Sequence, residues 1–83
     1  MLPAAEPDQY RVDIALIRSS PLFDPAWYLN CYPDVACSGA DPAKHYATYG
    51  GFEGRDPGPA FQSAYYFATN PDVRRAGVNP LVH

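Results

Sequence analysis

The sequence predicts an all-α fold of five to seven short helices, built on a 38-residue repeat. Three observations carry that expectation. Asp24-Pro25, Asp41-Pro42, Asn70-Pro71 and Asn79-Pro80 each place an N-capping side chain before a proline at the first helical position. There the capping oxygen accepts an orphan N–H, and proline's missing N–H costs nothing. Gly39, Gly50 and Gly77 suit the left-handed residue that closes a helix. No alternating Val/Ile/Thr run of strand length occurs.

The elements follow in order. Residues 1–9 read as an extended, proline-containing arm. Asp8 is placed to cap a leading helix that carries Val12, Ile14, Ala15, Leu16 and Ile17, so residues 10–22 form that helix and its turn. Phe23-Asp24-Pro25-Ala26-Trp27-Tyr28-Leu29 then returns as Phe61-Gln62-Ser63-Ala64-Tyr65-Tyr66-Phe67. In the same register Pro33-Asp34-Val35 meets Pro71-Asp72-Val73, Gly39 meets Gly77, Pro42 meets Pro80 and His45 meets His83. Nine of 23 aligned positions are identical without a gap, too many for chance. Residues 23–60 are a complete unit and 61–83 a truncated second one. Val78, Leu81 and Val82 open a helix that expects a covering partner, since an unfinished array needs a cap or a neighbour. Leu2 and Pro3 in the arm are further docking candidates, with a frayed terminus as the equal alternative.

An 83-residue chain with 47% apolar residues folds, but buries only about 60% of its unfolded surface. The aromatics must therefore build much of the core: Phe23, Trp27, Tyr28, Tyr46, Phe61, Tyr65 and Tyr66, with Val35 and Val73. A net charge of −3 argues against nucleic acid or anionic lipid as partner. No apolar run is long enough for a membrane span. The opening Met1-Leu2-Pro3-Ala4-Ala5-Glu6-Pro7-Asp8 lacks the basic and apolar regions of a signal peptide, so synthesis without export by that route, in the cytoplasm, is expected. Cys31 and Cys37 read as two small buried side chains in preference to a disulfide.

The residues that invite chemistry are better explained by structure. A Phe/Trp/Tyr stripe can stack on sugar rings, yet one recurring at helical spacing is more often the seam between helices. His45 and His83 each follow a carboxylate, Asp34 and Asp72, by eleven residues. With Glu53 and Asp56 nearby a metal site is conceivable, but one imidazole with scattered carboxylates lacks zinc-site spacing, so His45 is expected to bond a loop backbone or Asp34. Arg55 is expected to pair with Asp34 or Asp72 and lock adjacent units. The serines and cysteines lack nucleophile-elbow glycines. The reading is a protein that is not an enzyme and needs no cofactor.

The pattern Phe-Asp-x-x-Trp-Tyr-Leu (from Phe23), Pro33-Asp34-Val35, Gly39-x-Asp41-Pro42, His45-Tyr46 and Gly50-x-x-Glu53-Gly54-Arg55-x-Pro57 resembles a bacterial short aromatic repeat over about residues 14–83. Repeats similar to it stand beside surface-polysaccharide glycosyltransferases and in phage-like, gene-transfer-agent particles at the base of head spikes. The resemblance implies an adaptor docking other chains of an oligomeric assembly, incorporated into a virion-like particle. Its alternative implication is a carbohydrate-binding accessory module for surface polysaccharide. It carries no catalytic activity here, because the nucleotide-binding unit and Asp-x-Asp motif of a glycosyltransferase are missing.

Overall fold

Only one segment is long enough to approach helical stability by itself. The computed structural model describes residues 8–83, with the backbone alone for Asp8 and Gln9. The expectations for the arm, for Leu2 and Pro3 and for the Asp8 side chain therefore lie outside the described residues. Helix α1 spans Asp8–Ser19. The rest are shorter: α2 (Pro25–Cys31), α3 (Pro33–Ser38), α4 (Pro42–His45), a π-helical turn (Tyr46–Gly50), α5 (Ser63–Thr69) and α6 (Pro71–Arg75). Isolated helices below about 12–15 residues are marginal in water, so these exist because they pack. No strand forms among the described residues, and an isolated bridge joins Gly58 to Phe61. The fold is all-α. No described helix is long and apolar enough to cross a membrane.

Capping explains the helix starts only in part. Asp24 accepts from the Trp27 N–H at 3.0 Å and caps α2 as expected. Asp41 makes no cap bond; its carboxylate takes the Arg18 guanidinium, which ties α4 to α1. Asn70 also fails to cap, because its amide turns back to donate to the Tyr66 carbonyl at 3.0 Å. Asn79 accepts from the Leu81 N–H at 2.9 Å, but a turn follows it and not the expected helix. Proline at the first helical position recurs in α2, α3, α4 and α6, while α5 begins at Ser63.

Gly39 and Gly77 take the left-handed conformation, with φ of 74° and 72°. Gly50 does not. It sits inside the π-helical turn because space demands it: a Cβ there would overlap the Tyr28 hydroxyl.

The core is one cluster of Ile14, Ile17, Phe23, Tyr28, Val35, Ala43, Tyr46 and Ala47. Helix α1 packs on α4 and the π-helical turn, and α2 packs on α3 and α4. Phe67 and Val73 are buried where α5 meets α6, and Phe52 stacks on Phe67 with centroids 6.4 Å apart. Several expected core residues lie elsewhere. Tyr65 is 65% exposed, because α5 turns Ser63 and Phe67 inward, four residues apart, and leaves Tyr65 on the far face. Trp27, Phe61 and Tyr66 are only half-buried. Cys31 and Cys37 are free and exposed, not buried, since α2 and α3 direct Tyr28 and Val35 to the core.

Gly50→Ala is expected to lower unfolding free energy in urea by about 3 kcal/mol, as overpacking does. Gly39→Ala meets no neighbouring atom and should cost only about 1 kcal/mol through its left-handed backbone.

Candidate functional site

A phenol is half apolar ring and half polar hydroxyl, so burying one requires a ring contact and a hydrogen-bond partner together. Tyr28 has no exposed surface. Its ring meets Tyr32 edge-on at 4.9 Å, Tyr46 edge-on at 5.9 Å and Phe23 at 6.1 Å. Its hydroxyl pairs with His45 Nδ1 at 2.8 Å, beneath Gly50. His45 thus bonds a phenol, and neither a loop backbone nor Asp34 as the sequence suggested. The α4 helix supplies His45 and, one residue on, Tyr46 begins the π-helical turn.

Tyr46 is the second anchor. It too is fully buried, and its hydroxyl pairs with Ser63 Oγ at 2.7 Å. The Ser63 N–H donates to Asp56 at 2.9 Å, and the Asp56 N–H donates to the Tyr32 hydroxyl at 2.8 Å. The buried Asn79 amide donates to the Tyr46 carbonyl at 3.1 Å. Four hydrogen bonds and the Tyr28–His45 pair so connect α2, the π-helical turn, α5 and the turn after Asn79. Every buried side-chain nitrogen and oxygen among the described residues has a partner.

At the rim, Arg55 forks onto both Asp34 oxygens at 3.0 and 2.8 Å and reaches Glu53 at 3.0 Å. Its guanidinium also lies over the Tyr32 ring, 4.9 Å from the centroid. Of the two expected partners the structure selects Asp34; Asp72 lies on α6 without a salt bridge among the described residues. Arg55 holds the Asp34 carboxyl below its usual range. Because Asp34 is exposed, that pair sets geometry more than stability. Burial raises the Tyr28 and Tyr46 phenols well above the usual tyrosine value, so both stay protonated. Burial, then the nearby Arg55 charge, lowers His45 and keeps its imidazole neutral.

The same Tyr–His pairing occurs once more: Tyr66 Oη meets His83 Nδ1 at 2.5 Å, again 17 positions apart. Ring centroids are 5.9 Å apart in the first pair and 5.8 Å in the second. Phe23 lies 6.1 Å from Tyr28, and Phe61 lies 5.7 Å from Tyr66.

Two surface features flank this framework. Val12 and Leu16 are 57% and 49% exposed on α1. Beside them a shallow groove is lined by Leu16, Ile17, Ser20, Leu81 and Val82. Leu81 and Val82 are not an open helix end as expected, because both pack half-buried against the core. Val78 is half-buried as well. The other feature is a cleft lined by Ala40, Asp41, Lys44, His45, Thr48 and Tyr49, with Tyr49 62% exposed. Among the described residues no three His, Cys, Asp or Glu side chains gather where they could hold a metal.

Sequence reasoning missed Tyr32, Ser63 and the amide of Asn79, and it considered Asp56 only as a metal ligand, not as a partner of Ser63 and Tyr32. A signal was present for Ser63, which stands 38 positions after Pro25 and breaks the Asp-Pro pattern there. None was present for Tyr32, whose partners lie more than twenty residues downstream.

Tyr46→Phe or Ser63→Ala alone should cost about 1–3 kcal/mol by urea unfolding, because each strands a buried hydroxyl. The double variant should cost less than the sum of the two. Folded His45 holds its proton more weakly than unfolded histidine, whose pKa is about 6.5. The unfolded state therefore binds more protons, and stability falls as pH drops from about 7 through that value. Thermal melts should show this slope between pH 7 and 5, and His45→Gln should flatten it.

Compared with known proteins, the chain matches no family model, no curated protein and no solved structure.

Proposed function

We infer that this chain is a non-enzymatic structural module, built on a 38-residue unit and docking other protein chains in a larger assembly. The observation that carries this reading is the paired Tyr–His bond. Tyr28–His45 and Tyr66–His83 share atoms, separation and ring geometry at an offset of 38 residues. Helix α5 starts and ends 38 residues after α2, and the left-handed glycines at 39 and 77 keep that offset. Side chains that could do acid–base work are thereby engaged in holding helices together. A repeating unit of this kind presents stackable faces, and repeat stability comes from neighbouring units. The exposed Val12–Leu16 face and its adjoining groove add apolar surface suited to a protein partner. With the sequence resemblance, this supports an oligomeric component of a virion-like particle, at the base of a head spike.

A second reading is favoured by one observation. The exposed Tyr49 ring beside His45, Lys44 and Thr48 forms an aromatic platform edged by polar groups, which suits a sugar ring. It replaces Trp27, which is half-buried against Tyr32, as the candidate for an accessory module that binds surface polysaccharide.

Light scattering on the purified chain separates the two. A defined oligomer that Leu16→Glu dissociates, with no response to polysaccharide, is expected. The dissociated variant should still fold, since a surface change alters the stability of the monomer by about 0.5 kcal/mol or less. A monomer that binds polysaccharide saturably, and loses it in Tyr49→Ala, would replace the first reading with the second.

A further inference from the structure

Residues 46–57 show what covers the α2–α3 face. Gly50 lies against the Tyr28 hydroxyl where any side chain would collide. Five residues on, Arg55 forks onto Asp34, and the next N–H, that of Asp56, donates to the Tyr32 hydroxyl. The cover is thus a glycine in close contact, then an arginine, then a backbone donor.

The α5–α6 face carries the corresponding groups 38 residues later, and they are more open. Tyr66 is half-buried where Tyr28 is fully buried, and Tyr65 is 65% exposed where Trp27 is half-buried. His83 is exposed where His45 is half-buried. Asp72, at the place of Asp34, is exposed and makes no salt bridge among the described residues. Asn70 stands where Tyr32 does. Its Nδ2 is used on the Tyr66 carbonyl and Thr69, which leaves Oδ1 as the acceptor in place of the phenol. Arg74, which would compete for Asp72, lies over the Phe67 ring instead.

We propose that the α5–α6 face docks a second polypeptide carrying a glycine turn followed by an arginine, of the kind this chain presents at 46–57. The arginine seats on Asp72, the glycine lies over the Tyr66–His83 pair, and the following N–H meets Asn70. The exposed Asp72 carboxylate, without a salt bridge among the described residues, selects the arginine even beside Arg74 and Arg75, and the close approach of Gly50 to the Tyr28 hydroxyl is the pattern that selects the glycine. This rests on the repeat reading above and names the partner of the docking role.

The probe is a synthetic peptide of residues 46–57, titrated into the ¹⁵N-labelled full chain and followed by amide shifts. Saturable shifts at Tyr65, Tyr66, Asp72, Val73 and His83 are expected. A peptide with Arg55→Ala, or the chain with Asp72→Asn, should bind about tenfold more weakly, as loss of a bidentate pair implies. Arg55→Asp in the peptide with Asp72→Arg in the chain should restore binding. The proposal is overturned if shifts fall on α2–α3, where the peptide would merely displace its own counterpart. It is also overturned if the Arg55→Ala peptide binds equally well, or if millimolar peptide shifts nothing. Concentration-dependent shifts on this face without peptide would assign it to a second copy and overturn it likewise. The Leu16→Glu oligomer measurement reads the docking role independently, so a silent peptide sinks this face alone.

Discussion

A buried phenol that must bond an imidazole under a glycine is the constraint on which the rest of this small protein depends. Tyr28 needs its ring enclosed and its hydroxyl satisfied, and both conditions are met only when α2, α4 and the π-helical turn arrive together. Leaving such a hydroxyl without a partner costs more than the bond itself contributes, so partial assembly is penalised. The arrangement therefore acts less as added stability than as a filter against alternative packings.

That filter suits a chain whose helices, α1 apart, are four to seven residues long. Such helices have little intrinsic stability, and aliphatic residues are too few to hold them. Tyrosine solves two problems, since each ring contributes apolar area and each hydroxyl reaches a distant element. Tyr28, Tyr32 and Tyr46 bond residues 17 to 24 positions away. Each such bond spans elements that no local hydrogen bond would join. Arg55 extends the same logic to the surface, where one guanidinium closes on Asp34, Glu53 and the face of Tyr32.

The surface divides accordingly. Where residues 46–57 lie over α2 and α3, Tyr28 disappears from solvent and Asp34 is paired. Around α5 and α6 the corresponding groups stay more exposed, and Tyr65 presents its ring to water. The apolar stripe of α1 is exposed for a different reason. Ile14 and Ile17 meet the needs of the core, and Val12 and Leu16 face away from it. Exposure thus arises once from the α5–α6 face and once from helix geometry.

The all-α class, most helix starts and the closing glycines at 39 and 77 were legible in the sequence, because proline, Asp/Asn and glycine act through their own backbone. The recurrence of residue types at 38 positions is a property of the order of residues alone. Whether an aromatic would be core or surface was not. Tyr65 and Tyr66 are neighbours in a chain of the same composition, and only the packing of Ser63 and Phe67 turns one outward. Nor could spacing decide that Asp41 would leave its cap for Arg18, that Arg55 would choose Asp34 over Asp72, or that His45 would meet a phenol. Sequence by itself determined the local conformations, because those energies are set within a few residues. Tertiary structure alone decided the partners of the polar groups, because a hydrogen bond is chosen by which atoms desolvate together, and that is settled only when distant helices close.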